Sequence, residues 1–560
     1  MRMKRLKISS SSRRSKILAG LLSAIVVGSA AFGANYYILH RTSGSAAVLP
    51  PLKPHGDIPL RQMTTYAETL NQELPADSVE VPSNCPVQKG DWVTAENDNA
   101  GIAMTSTDWS HLNLMRLSGS VLWVDRQSAT CGDRIGIHAS LFPRKSDGLI
   151  DTSPRSFEVL RIGWYGGSGA RMVWNSGPVK LKYRNTPTLR NATRTIETKW
   201  PISSSFDIGP EWVPGLYLVA SVNPQGKIEN VAPFILRSNP QDSKLLLIHS
   251  TLTWAAYNSF GGHSAYSTDI KRTLERSQVV SFDRPYAGSG INHISRDAIS
   301  FVQYLESTGL NIDQVADTDI TNSPSIAAKY SGIIFSGHPE YMTRTEFDTV
   351  AAVRNLGVNI AFMGANNAFW QSRVEASPSG PDRRLVIYRD PRLDPQTDWQ
   401  KVSIQFGNKR INTPPSLLTG EEKAGVHVTG SMSAVSIPHW LDIPMDATLT
   451  GWSSNSEIDS IATGEAAPPK VNLIFSGKFE LVNPTPRALT LKRSLMGQTI
   501  WFTAPSGSAT FVAGINYWPC ETSFTCLESR VDDATRFLLQ SITAQVLTLW
   551  QTKAVGKSLK

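Results

Sequence analysis

Cysteine is scarce in this chain: there are four in 560 residues, and none falls in a CxxC or Cys/His spacing, which excludes a structural zinc module. Also missing are the GxSxG nucleophile elbow, the HExxH zinc helix and the P-loop, so the common hydrolase and nucleotide-binding machineries are excluded. Ser336-Gly337-His338 supplies a serine and a histidine but not, by itself, a catalytic dyad. Nor is there a basic stripe interleaved with aromatics. The net charge of +8 is concentrated in residues 1–16, which carry seven Lys and Arg and no acid, so the remainder stands at +1. That balance excludes nucleic acid as a partner.

The basic head precedes residues 17–39, 23 residues without a charge, enough to cross a bilayer as one helix with its N-terminus inside. The small residues Ser29, Ala30, Ala31, Gly33 and Ala34 also fit a cleaved signal peptide, but the run continues through Tyr36-Tyr37, where an interfacial aromatic pair would sit, and this favours an uncleaved anchor. Either way the chain is expected outside the cytoplasm, with the membrane as a partner through its N-terminal helix. If the anchor is cleaved, the chain is secreted. Export permits disulfides, and the short Cys520 to Cys526 spacing leaves Cys85 and Cys131 as the second pair.

Length calls for more than one globular domain. Residues 40–84 contain Pro50-Pro51, Pro54 and Pro59 with little apolar periodicity and read as a stiff linker. Residues 85–240 show short β-runs punctuated by Gly, Pro and Asn, the pattern of a β-sandwich. Within them, the glycine-rich 163–170 run leads into another strand rather than a helix, so it is a hairpin and not a phosphate cradle. Residues 241–552 alternate strand and helix and predict an α/β domain, ending in a helix over 534–550 and a basic tail over 553–560.

The α/β part is organised around a strand at 332–335 that stops at Ser336-Gly337-His338-Pro339-Glu340-Tyr341. There Thr343 and Glu346 form a capping box for a helix running to Gly357. Apolar runs at 245–248 and 359–363 predict two more buried strands, and a helix is expected over 295–307. If the sheet is parallel, three strands deliver Tyr257, Glu340 and Asn366 to one edge, where α/β folds bind ligands. A loop carrying Tyr286 is long enough to fold back over that edge.

The runs Arg161-Ile162-Gly163-Trp164-Tyr165-Gly166-Gly167-Ser168-Gly169-Ala170-Arg171, Thr253-Trp254-Ala255-Ala256-Tyr257-Asn258, Asp283-Arg284-Pro285-Tyr286, Gly337-His338-Pro339-Glu340-Tyr341 and Gly364-Ala365-Asn366 together resemble the large subunit of N,N-dimethylformamidase and its relatives. The resemblance spans about residues 110–550. It implies a β-rich part followed by an α/β domain resembling class I glutamine amidotransferases, with one iron held by two tyrosines and a glutamate. The matching ligands are Tyr257, Tyr286 and Glu340, with Tyr266 competing for the place of Tyr286, and with Asn366 as a nearby polar group. Phenolate and carboxylate oxygens suit a hard ferric ion, and such a site would hydrolyse an amide C–N bond, with His338 or His263 moving the proton. The expected substrate is a small-molecule or envelope-derived amide. A non-catalytic envelope protein binding glycan on the same scaffold is the alternative.

Overall fold

The structure, a computed structural model, describes residues 54, 56–103, 119–143, 147–185, 192–239, 243–266, 276–452, 454–482, 495–526 and 529–559. The uncharged run at 17–39 lies outside the described residues. Among the described residues no helix is long and apolar enough to cross a membrane.

The expected sandwich region forms two sheets. One is three-stranded, with Arg134–Phe142 between Gly119–Val124 and Ser204–Asp207. The other is six-stranded, and its central strands are Ser156–Ile162, Gly215–Val222 and Ile228–Leu236. Gly215–Val222 is buried along its whole length, and its period-2 geometry says why. Tyr217 and Val219 face the small sheet, packing with Leu122, Ile137 and Phe234. Leu216, Leu218 and Ala220 face the other way and share a core with Leu245, Ile299, Phe301 and Val302 of the α/β region. The β-rich and α/β regions are thus joined by common packing. As expected, the glycine-rich run is a hairpin, closed by a single 3₁₀ turn at Tyr165–Gly167 between antiparallel strands.

In the α/β region, β1 (Leu245–His249), β2 (Ile312–Ala316), β3 (Gly332–Gly337) and β4 (Asn359–Gly364) are parallel, and all four are continuously buried. The sheet then continues through β5 (Glu421–Gly430), β6 (Ser456–Ile461), β7 (Asn472–Leu481), β8 (Leu495–Thr503) and β9 (Ala509–Val512) in the order β2-β1-β3-β4-β9-β8-β7-β5-β6. Only β9 keeps the parallel sense; from β8 onward the pairing is antiparallel. Helix α1 (Thr251–Tyr257) follows β1, and α2 (Arg344–Asn355) follows β3. Thr343 caps α2 by accepting the Glu346 amide at 3.1 Å. The reciprocal half of the expected capping box is absent, because the Glu346 carboxyl is buried with Oε2 unpartnered.

The 295–307 segment is helical, but the helix widens into a π-turn over Ile294–Ile299 before α-helix resumes at Ser300–Ser307. Both expected disulfides are present, Cys85–Cys131 and Cys520–Cys526. The proline-rich segment corrects an expectation, because its described part is docked rather than a free spacer. Tyr66 is buried in the α/β core with Phe502 and Val350, its amide donates to the Glu465 carbonyl at 2.7 Å, and Arg354 donates to Thr69 at 2.7 Å. Ile58, buried against Val402, Ile404 and Ile411, and the capped turn at Tyr66–Thr69 help hold the strap, and neither produces a periodic pattern.

Candidate active site

The ends of β1, β3 and β4 lie side by side, and the turns leaving those ends build the site. β3 and β4 meet at Gly337 and Gly364, which are register partners. A side chain at Gly364 would place its Cβ 1.5 Å from the Gly337 carbonyl oxygen, so only glycine allows the strands to close there. Past that point the chain turns through His338 to Glu340. The turn leaving β4 grips it: the amide of Ala368 donates to the Pro339 carbonyl at 2.8 Å and that of Phe369 to the Glu340 carbonyl at 3.0 Å.

Glu340 is 3% exposed and its two oxygens are divided between partners. Trp370 donates its indole N–H to Oε1 at 3.0 Å. Tyr257, the last residue of α1, donates its hydroxyl to Oε2 at 2.8 Å. The Tyr266 hydroxyl donates to that same oxygen. The two phenol rings stack at 4.3 Å, and the chain Arg389 to Tyr341 to Tyr266 feeds donors toward the carboxylate, with Tyr341 at 2.9 Å from Tyr266. The Arg389 guanidinium also lies 4.2 Å over the Tyr266 ring and 4.5 Å over Trp370.

His338 completes the cluster. Its Nδ1 lies 3.0 Å from the Ala365 carbonyl and donates to it, which turns Nε2 toward Tyr257 Oη at 3.4 Å, Glu340 Oε2 at 3.4 Å and Glu457 Oε1 at 3.6 Å. Glu457 is paired on its other side with Lys423 at 2.8 Å. Behind Tyr257 stands His293, with rings 4.1 Å apart, and its Nδ1 is 2.8 Å from Asp297.

The charge pattern follows from this packing. Burial alone would raise the Glu340 carboxyl, but the hydrogen bond and charge of His338, then Lys423 and Arg389, hold it well below the usual carboxylate range. Burial works against the His338 cation, yet the charge of Glu457 and the contact with Glu340 outweigh it and raise the imidazole above its ordinary value. Burial, and after it the Glu340 charge, pushes both Tyr257 and Tyr266 well above 10. Without a cation both phenols stay protonated and donate to Glu340.

Of the residues expected at the site, Tyr257, Glu340, His338 and the Asn366 turn come together. Tyr286 does not join them. Burial raises its phenol, whose charged neighbours are Arg383, Asp317 and Arg284, its carbonyl accepts from Asn230 at 3.3 Å, and its ring lies in the core shared with the β-sheets. The second tyrosine beside Glu340 is Tyr266. His263 is placed by its carbonyl, which accepts from Arg284 at 2.9 Å, while the histidine against Glu340 is His338. Lys423, Glu457, Trp370, Arg389 and His293 were not anticipated. The only local signal among them was the i, i+4 spacing of His293 and Asp297. Among the described residues no group of three or more His, Cys, Asp and Glu is arranged to hold a metal, so any ion here depends on the phenols. Two surface cavities, of about 380 Å³ beside Arg61 and Arg344 and about 270 Å³ beside Trp164 and Phe524, contain none of these residues.

Residues 156–530 match the family model described as N,N-dimethylformamidase beta subunit-like, C-terminal. The chain belongs to that family. A comparison with curated proteins finds no match. In this N,N-dimethylformamidase beta subunit-like chain the matched region takes in four strands of the six-stranded sheet, those between Ser156 and Leu236, and the whole Glu340 cluster.

The helix that carries Tyr257 is held from below by a buried carboxyl. Asp317 accepts the amide of Leu252 at 2.9 Å and that of Thr318 at 2.9 Å, together with the Thr251 hydroxyl. Burial, opposed by those hydrogen bonds, pushes Asp317 up to about 7. A carboxyl raised in the folded state above its unfolded value of about 3.9 contributes fully at low pH and loses that contribution as pH climbs through the folded value. The melting temperature should therefore fall between pH 4 and 7 more steeply in the wild type than in Asp317→Asn, which cannot ionise. Parallel melting curves for the two proteins across that range would remove Asp317 as the cause.

Proposed function

We propose that the chain is a metal-dependent hydrolase of amide C–N bonds, with one ferric ion held by Tyr257, Tyr266 and Glu340. The observation that carries this reading is that two phenol oxygens converge on a single carboxylate oxygen, which gathers three hard oxygen donors at one point. These donors fit the group: hard oxygens of this kind match ferric iron and would leave coordination positions open. To bind it, Tyr257 and Tyr266 give up the protons that now join them to Glu340. Bound there, the ion would polarise a carbonyl oxygen and acidify a water.

The remaining work belongs to side chains. His338, fixed by the Ala365 carbonyl, holds or releases a proton at Nε2 beside Glu340, and the charge of Glu457 stabilises its charged form. Trp370 keeps Glu340 oriented by occupying Oε1, so that Oε2 faces the phenols. Asn366 contributes a polar group from the adjacent turn.

Metal analysis of the purified protein tests this reading. It should contain about one iron per chain, bound through oxygen, and show the visible charge-transfer colour of ferric phenolate. Protein that takes up no metal after reconstitution with ferric iron would leave the hydrolase reading without its centre.

A further inference from the structure

The glycine-rich hairpin and the Cys520–Cys526 disulfide loop take no part in the Glu340 cluster, yet they meet at the cavity of about 270 Å³ beside Trp164 and Phe524. Gly166, Gly167 and Gly169 have φ of +62°, +94° and +89°, so the turn requires glycine. It folds the Trp164 indole over Gly167, where a Cβ would lie 3.7 Å from the ring. At Gly169 the missing side chain admits Gln303, whose amide donates to the Gly169 carbonyl at 3.1 Å. The disulfide loop presents Phe524, which meets Phe537 edge to face, and each ring is 58% exposed. Large exposed rings set side by side mark a surface that something covers. Both the ring and its loop are held in place: the Arg536 guanidinium lies 5.1 Å over Phe524, and Gln540 donates to the Thr522 carbonyl at 2.7 Å, tying the loop to the helix Asp533–Trp550.

We propose that this cavity binds a neutral saccharide through one uncharged pyranose ring. Among the described residues that line it none is charged, and its polar groups are hydroxyls and carboxamides. They are ordered in advance, because Thr525 donates to Gln303 and the Ser523 and Thr525 hydroxyls pair at 2.8 Å. Gln540 spends its amide N–H on Thr522, which leaves its Oε1 to accept, and the Trp164 indole N–H has no acceptor among the described residues. A pyranose matches both kinds of lining: its C–H faces pack on aromatic rings, and each of its hydroxyls donates and accepts. An apolar partner would bury the indole N–H and the Gln540 oxygen without hydrogen bonds. The volume falls just short of the roughly 300 Å³ at which drug-sized sites begin, which limits the occupant to about one ring. No residue of the Glu340 cluster lines the cavity, so its occupancy does not depend on the metal.

Saturation-transfer NMR on the full-length protein can screen the methyl glycosides of glucose, galactose, mannose and N-acetylglucosamine, with methyl glucuronide as the charged control. At least one neutral glycoside should bind and the glucuronide should not. Phe524→Ala, at an exposed position where truncation costs the fold little, should weaken that binding about tenfold. Trp164→Phe, which keeps a ring but deletes the indole N–H, should weaken it by a smaller factor. Binding of none of the neutral glycosides, equal binding of the glucuronide, or binding that both variants leave intact overturns the proposal. So does a loss of self-association in Phe524→Ala with no glycoside bound by the wild type, read by sedimentation, which would assign the exposed rings to a second copy of the chain.

Discussion

Tyr266→Phe is expected to abolish iron binding at the proposed site, while Tyr286→Phe keeps metal and colour at the wild-type level. The first change deletes one oxygen and keeps the ring that stacks at 4.3 Å on Tyr257, so the local packing survives and only a donor is lost. Replacing groups that merely orient a ligand weakens metal binding by about 10–100-fold, so removing a donor itself should cost at least as much. The phenol of Tyr286 has Arg383, Asp317 and Arg284 as its charged neighbours and is not among the donors to Glu340. Iron content by plasma emission and the charge-transfer band read both variants, and circular dichroism confirms their fold. The reverse result, loss of iron in Tyr286→Phe and retention in Tyr266→Phe, would show that the ligand set is not the one the hydrogen bonds indicate.

The largest stability effect is expected away from the site, where the β-rich and α/β regions join. Arg161 is fully buried, and its guanidinium donates to Glu306 at 2.7 and 3.0 Å. Glu306 also accepts from Asn97 at 2.9 Å. Burial by itself disfavours the Arg161 cation, but Glu306 restores it and leaves the group more basic than usual. Glu306→Ala removes the closer counter-charge of a cation that water cannot reach, leaving Glu96 at 4.0 Å, and breaking such a buried pair costs about 3–5 kcal/mol. The denaturation midpoint should drop accordingly. In the double variant Arg161→Met with Glu306→Leu, which removes both members of the pair and leaves Glu96 to its partner Arg171, most of the loss should be recovered. A single variant losing less than about 1 kcal/mol, the size typical of a solvent-exposed pair, would show that the interface admits water and that the pair is not buried in solution.

Much of the frame was legible because it rests on local pattern. Continuous apolar runs at 245–249, 332–335 and 359–363 are what strands covered on both faces require, and they appear as β1, β3 and β4. The glycine-rich run that enters a strand rather than a helix had to be a turn. The residues just past β1, β3 and β4 could be placed at one edge because parallel strands in neighbouring positions end on the same side, which brings Tyr257, Glu340 and Asn366 near one another.

What the tertiary structure decided is every contact whose partners lie far apart in sequence with no repeating pattern between them. Tyr266 and Tyr286 are alike in the sequence: each is an amphipathic aromatic in a polar loop. They are separated by the path of the backbone. The amide of Ala265 bonds the Ala256 carbonyl at 2.9 Å and folds Tyr266 back beside Tyr257, whereas the Asp283 carbonyl takes the Thr198 amide at 2.8 Å and draws the Tyr286 loop toward the β-sheets. Lys423, Glu457 and Asp459 are set together by the antiparallel register of β5 and β6, which places Lys423 opposite Asp459. They reach the site because the Asp459 amide bonds the Gly514 carbonyl at 3.0 Å while the Gly514 amide bonds the carbonyl of Gly364, at the end of β4, at 3.0 Å. Periodicity announces that a strand exists and which faces are apolar. It carries no information about which distant strand is its neighbour, because that choice is made by the collective packing of both sheet faces, and there the charged side of the site was settled.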